Sequence, residues 1–445
     1  MEKIKMTEWK EVKLGDVCLD VSYGYTASAT SEKIGPKFLR ITDVVPYFIH
    51  WDDVPYCNIP EDLLERYLLK KGDIVIARTG ATSGYNAVID NDIKAVYASY
   101  LIRFRPNPEN VFSFFMKYVL KSEKYKDFIK SNVSGSAQPG INAQVLSQFS
   151  FSLPPLEIQR KIAGILGALD DKIEVLREQN KTLEQMAQAV FQSWFVDFDI
   201  VRAKAANMPT EDICKKYHIT PDLCALFPAT FTPDNLPLGW EKIPFSETMD
   251  IISGGTPKTT EASFWNGEIP WYSVVDAPAS VYVLDTEKHI TGLGLEKSPC
   301  SLLEKDTVII SARGTVGKLA IVGKPMAMNQ SCYGLKFDFP YYGYLMTKQM
   351  LVWLKQNVHG AVFDTITKDT FKTVQTINVS RDLKEAFTNI VSSFFNKVYE
   401  NSKQIRTLEQ TRDTLLPKLM KGGIDVNDVC FLTSSINVEE KHEKI

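Results

Sequence analysis

Two short stretches carry the residues best equipped to bind a ligand: ARTGATSG, from Ala77 to Gly84, and SARGTVGK, from Ser311 to Lys318. Each follows a β-branched run that reads as a strand, so its arginine, threonine and glycine fall where the strand must turn. Arginine offers a fork of donors, the hydroxyls donate and accept, and glycine lets a ligand approach the backbone closely. Such groups suit hydrogen bonding to planar polar edges and to phosphates. In the first half the candidates are Arg78, Thr79, Gly80 and Ser83, with Lys37, Arg40 and Thr42 upstream and Ser99 and Arg103 downstream. In the second half they are Lys258, Thr259 and Thr260, then Arg313, Gly314, Thr315 and Lys318, then Asn329 and Gln330. Lys117, Lys121 and Lys124 read as one helical face that could meet phosphates.

Patterns for catalysis or cofactor binding are missing. The string LPPL, Leu153 to Leu156, is no Asn/Asp-Pro-Pro-aromatic loop of the kind an amino-group methyltransferase needs. GTVGK, Gly314 to Lys318, is too short for a P-loop, and GLGLEK, Gly292 to Lys297, lacks the third glycine of a dinucleotide fingerprint. Cys214, His218 and Cys224 match no zinc spacing and lack a fourth ligand. His359, before Gly360, could contact a phosphate or a base edge. The expectation is a chain without catalytic residues, metal or cofactor of its own.

The elements that must position the candidates come from an internal repeat. Shifted along itself, the chain lays Thr182-Leu183-Glu184-Gln185 on Thr407-Leu408-Glu409-Gln410. Around the first TLEQ, apolar residues recur at alternating spacings of three and four, through Ile162, Leu169, Leu183, Val190 and Trp194. Around the second they run through Phe387, Phe394, Leu408, Leu415 and Leu419. Alternating three and four marks a coiled-coil seam, so each half ends in one long helix. Upstream, TEWKEVKLGDVC is echoed by LGWEKIPFSETM, and LLKKGDIVIARTGATSG by LLEKDTVIISARGTVG.

The predicted fold is α+β: two similar globular domains of mixed or antiparallel sheet with short helices, joined by two long antiparallel coiled-coil helices in a pseudo-twofold repeat. The expected boundaries are 1–153 for the first globular domain, 154–200 for the central helix, 201–239 for a connector, 240–378 for the second globular domain, 379–422 for the C-terminal helix and 423–445 for a loose tail.

Seven scattered cysteines without a C-x-x-C pair suggest neither disulfides nor a zinc ribbon. No apolar run approaches the roughly 20 residues of a membrane span, and no secretory leader is visible, so a cytoplasmic protein is expected. A net charge of −3 argues against a protein that merely coats a polyanion.

The sequence resembles the specificity subunit of type I restriction-modification enzymes. In the second half the likeness lies in SGGTPKTTEASFWNGEIPWYSVVD, SARGTVG and MNQS; in the first, in IGPKFLRITDV, GDIVIARTGAT and ASYLIRFRP. LPPLEIQRKIAGIL, FVDFDIV and LLPKLMKGGIDV resemble the family's helix boundaries, although NVSRDLKEAFTNIV departs from the proline-led pattern where the second long helix should begin. The resemblance implies two target-recognition domains, each reading one part of a split, asymmetric double-stranded DNA sequence. It also implies two methyltransferase subunits docked on the helices and motor-nuclease subunits joined through the complex. S-adenosylmethionine, ATP and Mg would then belong to those partners. The seam residues named above would pack helix on helix or dock the partner subunits, with Trp194, Phe195 and Phe198 at an exposed apolar end. The alternative is a stand-alone regulator that binds a split DNA site.

Overall fold

The computed structural model describes residues 9–45, 48–133, 140–357, 365–424 and 426, so most of the expected tail lies outside the described residues, as does His359. The chain divides into two compact units, residues 1–172 with 408–445, and residues 173–407.

In the first unit the strands are β1 (Lys10–Lys13), β2 (Cys18–Tyr23), β3 (Lys37–Leu39), β4 (Ile74–Ala77), β5 (Asn86–Val88), β6 (Ala95–Tyr97), β7 (Leu101–Pro106) and β8 (Ser150–Leu153). An antiparallel sheet runs β2-β7-β4-β5, β3 pairs parallel with β6, and β1 pairs antiparallel with β8. Strand β4 is apolar throughout because both faces are covered: Ile74 and Ile76 enter one core, Val75 and Ala77 the other.

The second unit contains β9 (Glu241–Pro244), β10 (Asp250–Ser253), β11 (Trp265–Tyr272), β12 (Tyr282–Val283), β13 (His289–Ile290), β14 (Val308–Ser311), β15 (Leu319–Val322), β16 (Ala327–Met328), β17 (Cys332–Lys336) and β18 (Gln375–Asn378). Its sheet order β10-β17-β14-β15 repeats that of the first unit, with β12 added at the edge. The parallel pair β11–β16 repeats β3–β6, and β9–β18 repeats β1–β8. Strand β14 alternates in the same way, with Val308 and Ile310 in one core and Ile309 in the other.

The long helices span Leu156–Phe195 and Arg381–Met420. At the second, the Ser380 hydroxyl accepts the Leu383 N–H at 3.3 Å, a cap that starts the helix without the proline-led pattern. Within each unit the two helices run antiparallel, but their apolar stripe is not a pure seam. The first unit's core takes Ile158, Ile162 and Ile165 from the central helix and Leu419 from the C-terminal one. The second takes Phe191, Trp194 and Phe195 from the central helix and Leu383, Phe387 and Phe395 from the other. Each globular domain therefore closes its core with pieces of both helices.

This corrects the expectation of a partner-docking apolar end. Trp194 is only 4% exposed, and Phe195 is equally buried. Ile162, Leu169, Phe387, Leu408 and Leu419 are buried, and Leu183, Val190, Phe394 and Leu415 are half-buried against the chain's own cores. The seam is also partly polar. Asp170, fully buried, accepts from Tyr118 Oη at 2.9 Å and pairs with Lys117 at 2.9 Å and Arg412 at 3.2 Å. Asn401 donates to Asn180 Oδ1 at 2.9 Å and to Gln179 at 2.8 Å. Glu184 of the first TLEQ receives Tyr344 Oη and Lys348 Nζ, each at 2.7 Å, which ties the second globular domain to the central helix.

The segment expected to be a plain connector carries helices at Asp199–Ala205, Thr210–Tyr217 and Pro221–Ala225. Ile200, Val201, Ile213, Cys224 and Phe227 are buried in the second unit's core, so this stretch is part of that unit. Its helices are short, five to eight residues, below the length at which periodicity shows in a sequence.

Candidate nucleic-acid interface

At one end of each main sheet, several turns are held by the same backbone hydrogen bonds. In the first unit Arg78 N–H donates to Tyr100 O at 3.0 Å, Ile141 N–H to Arg78 O at 2.9 Å, Ala98 N–H to Leu39 O at 2.9 Å and Tyr25 N–H to Tyr97 O at 2.7 Å. In the second unit Ala312 N–H donates to Ser331 O at 2.7 Å, Ile366 N–H to Ala312 O at 2.8 Å, Asn329 N–H to Tyr272 O at 2.8 Å and Gly255 N–H to Met328 O at 3.0 Å. The frame is thus repeated bond for bond. Gly80 and Gly314 sit at its tip with φ of +73° and +74°, and a Cβ on either would meet nothing within 4 Å, so a ligand can reach the backbone there. Behind the tip, Asp43 accepts the Arg40 backbone N–H and Asp276 that of Ser273, each at 2.8 Å, so two short helices open on the same hydrogen bond.

The frame corrects one equivalence. Arg78 corresponds to Ala312, and Arg313 corresponds to Thr79, since each of the latter two bridges the next segment, at Thr365 and Gly140 respectively. The arginines share a turn but not a position. The turn is one residue longer in the first unit, where the second positive-φ glycine is Gly84; its counterpart is Gly317. Aligning the two arginines hides that extra residue.

The structure brings Arg40, Thr42, Arg78, Thr79, Gly80, Ser83 and Ser99 to one end of the first unit. Arg78 lies 5.1 Å from the centroid of Tyr23, with its Nε buried and without a hydrogen-bond partner among the described residues. Arg40 forks onto Asp43 at 2.8 and 3.0 Å, and those hydrogen bonds push its pKa upward, so it stays charged. Thr42 is exposed, Ser83 donates to Gly80 O at 2.8 Å, and Ser99 is held by its N–H to Tyr25 O at 2.9 Å. Lys37, at the far end of β3, donates to Val54 O at 3.1 Å and covers Tyr56.

Arg103 is removed from the set. It is 4% exposed in the middle of β7, pairs with Asp20 at 2.7 Å and donates to Leu68 O at 3.1 Å. The lysine face also dissolves. Lys117 lies in the helix Ser113–Val119 and is paired with Asp170; Lys121 follows that helix in a turn, where burial pushes its pKa down to about 6; Lys124 lies in the next helix and is paired with Glu11 at 2.8 Å.

In the second unit Lys258, Thr259, Thr260, Arg313, Gly314, Thr315, Lys318 and Gln330 are exposed. Gln330 meets the Thr256 hydroxyl, so the Lys258 turn lies beside the Gln330 turn. Asn329 is half-buried, its Oδ1 accepting Ser331 N–H at 3.0 Å. Sequence reasoning missed Tyr23, Tyr85 and Tyr100, and Ser273 and Val275, on these same turns. A signal was present: in VSYG, SGYN and ASYL, each tyrosine stands beside glycine or serine at a strand end.

Residues 6–185 and 237–408 both match the model of the type I restriction modification DNA specificity domain. The chain belongs to that family. The two matched stretches coincide with the two repeats of globular domain and long helix. Among characterised members, the type I restriction enzyme HindI specificity subunit of Haemophilus influenzae is 28% identical over 464 residues, covering 94% of this chain and 100% of that protein. The MjaIX specificity subunit of Methanocaldococcus jannaschii is 24% identical over 382 residues, covering 84% and 83%. The crystal structure of the type I S subunit from M. genitalium shares the fold, with a TM-score of 0.53 at 17% identity over 94% of this chain and 98% of that one. As a type I specificity subunit, the chain is a recognition component and not an enzyme. No helix among the described residues is long and apolar enough to cross a membrane.

Proposed function

We propose that the two globular domains are separate readers of a bipartite, asymmetric duplex DNA target, and that the long helices dock two methyltransferase subunits. The observation that carries this reading is the repeated frame with unlike tips: Arg40 against Ser273, Arg78 against Ala312, Thr79 against Arg313, Tyr85 against Lys318 and Tyr100 against Ser331. One scaffold with two sets of base-edge donors suits two different half-sites. For partners, the central helix leaves Val175 and Met186 exposed, two apolar side chains its own cores do not use. The match to the type I specificity domain and to specificity subunits favours a subunit over a stand-alone regulator. The chemistry then lies with partners: S-adenosylmethionine on the methyltransferase subunits, ATP and Mg on motor-nuclease subunits, all in the cytoplasm.

Selection of duplexes from a pool randomised over one contiguous window tests the DNA claim; the complex should recover two defined segments separated by a fixed gap. Copurification of methyltransferase subunits with Val175→Asp/Met186→Asp tests the docking claim. Recovery of one uninterrupted motif, or undiminished copurification, would contradict the corresponding part.

A further inference from the structure

The two tips differ in the same sense at three positions. Where the first reader has Tyr23, Tyr85 and Tyr100, the second has Ser253, Lys318 and Ser331 on the same frame. Tyr100 follows from its carbonyl, which accepts the Arg78 N–H as Ser331 O accepts that of Ala312. Tyr85 and Lys318 each follow the second positive-φ glycine of the turn. Tyr23 and Ser253 each end the strand paired with β7 or β17. The three rings are 42%, 47% and 54% exposed, high values for aromatic side chains clustered at one sheet end. The Tyr23 ring is held in place, its Oη accepting Ala143 N–H at 3.0 Å and Arg78 lying over its face, and the backbones of Tyr85 and Tyr100 are fixed by Ala77 N–H to Tyr85 O at 2.8 Å and Arg78 N–H to Tyr100 O at 3.0 Å.

We propose that Tyr85 and Tyr100, with Tyr23 bracing Arg78, form an aromatic reading surface that packs against the 5-methyl groups of thymines in one half-site, while the second reader has polar side chains at those three positions and exposes an apolar residue, Val275, where the first has Thr42. This rests on the reading of the chain as a two-reader DNA-binding subunit. The occupant is duplex DNA because one of the three rings, Tyr23, lies against Arg78, and the three residues occupy the frame that, in the other reader, presents Arg313, Lys318 and Gln330. In the major groove the apolar feature of a base pair is the thymine methyl, which marks A·T pairs for apolar side chains. A guanidinium resting on a tyrosine face keeps its outer nitrogens for an adjacent acceptor pair.

The test uses the full chain assembled with its methyltransferase subunits, and target duplexes in which uracil replaces thymine in one half-site at a time. Removing a buried methyl should weaken binding about fourfold for each contacted thymine. In the half-site read by the first domain the loss should be abolished by Tyr85→Lys/Tyr100→Ser, which installs the second reader's residues, and the variant should leave the response of the other half-site unchanged. Equal affinity for thymine and uracil in both half-sites, or losses that persist unchanged in the variant, would overturn the inference while specific binding left the two-reader reading standing. Failure of the wild-type complex to prefer its target over scrambled duplex would overturn both.

Discussion

Arg313 and Arg103 have similar side chains and opposite prospects. Arg313 stands exposed at the tip of the second reader, whereas Arg103 is buried against Asp20 and the Leu68 carbonyl. Arg313→Ala should lose about 1–3 kcal/mol of discrimination at one base pair of one half-site, with an unchanged unfolding curve. Arg103→Ala should lose about 1–3 kcal/mol of folding stability, because its charged hydrogen bonds are broken inside the sheet, with selectivity unchanged. Binding panels and denaturant unfolding of both variants separate the roles; a loss of stability in Arg313→Ala, or of selectivity alone in Arg103→Ala, would reverse the assignment. The candidate turns were legible in the sequence because glycine beside arginine at the end of a β-branched run has few structural uses. Arg103 was not, since LIRFRP alternates too briefly to show which face of β7 it enters. The missed tyrosines illustrate a related limit: an aromatic residue at a strand end is as often core as surface, and the frame, not the residue type, decides.

At the scale of elements, the long helices were legible to within a few residues of their ends, as 154–200 against Leu156–Phe195 and 379–422 against Arg381–Met420. Their period of three and four shows that one face is buried, and it cannot say by what. Half of that face meets the globular domains, so Trp194 and Phe195 read as docking residues until the second core is seen around them. The buried Asn180–Asn401 pair is a polar contact at a seam, a device that fixes helix register at some cost in stability. Asn401→Leu alone strands the Asn180 amide and should destabilise by about 1–3 kcal/mol, whereas Asn180→Leu/Asn401→Leu should recover most of that loss. A double-mutant cycle on thermal or denaturant unfolding measures it, and additive losses would show that the two amides are uncoupled.

A second element-level contact is pH-sensitive. Burial alone would raise the Asp285 pKa, but hydrogen bonds from Lys324 and His289 and the charge of Arg406 hold it at about 2. A folded pKa below the unfolded value contributes stability above the ordinary carboxylate range, lost as pH falls through that range toward 2. The stability gap between wild type and Asp285→Asn should therefore shrink as pH falls between about pH 4 and pH 2. A gap independent of pH in that window would mean the carboxylate's charge contributes nothing.

At the scale of the whole molecule, each reader needs both long helices. The first unit is completed by residues 408–426, which supply Leu419 to its core and Arg412 to Asp170. A fragment ending at Val201 lacks them. The repeat lays Leu183 on Leu408 and Trp194 on Leu419, so the central helix of a second copy can cover the bared surface. The fragment should dimerise, which light scattering would detect; a stable monomer at high concentration would contradict the interchangeability of the two helices.

The central claim is that one chain carries two independent readers, and sequencing of methylated DNA from cells that hold the chain and its methyltransferase subunits tests it most directly. The expected motif has two unlike defined parts and a fixed unspecified gap, and Arg313→Ala/Lys318→Ala/Gln330→Ala should relax one part and leave the other intact. A single continuous or palindromic motif for the intact chain, or relaxation of both parts by changes in one reader, would contradict it.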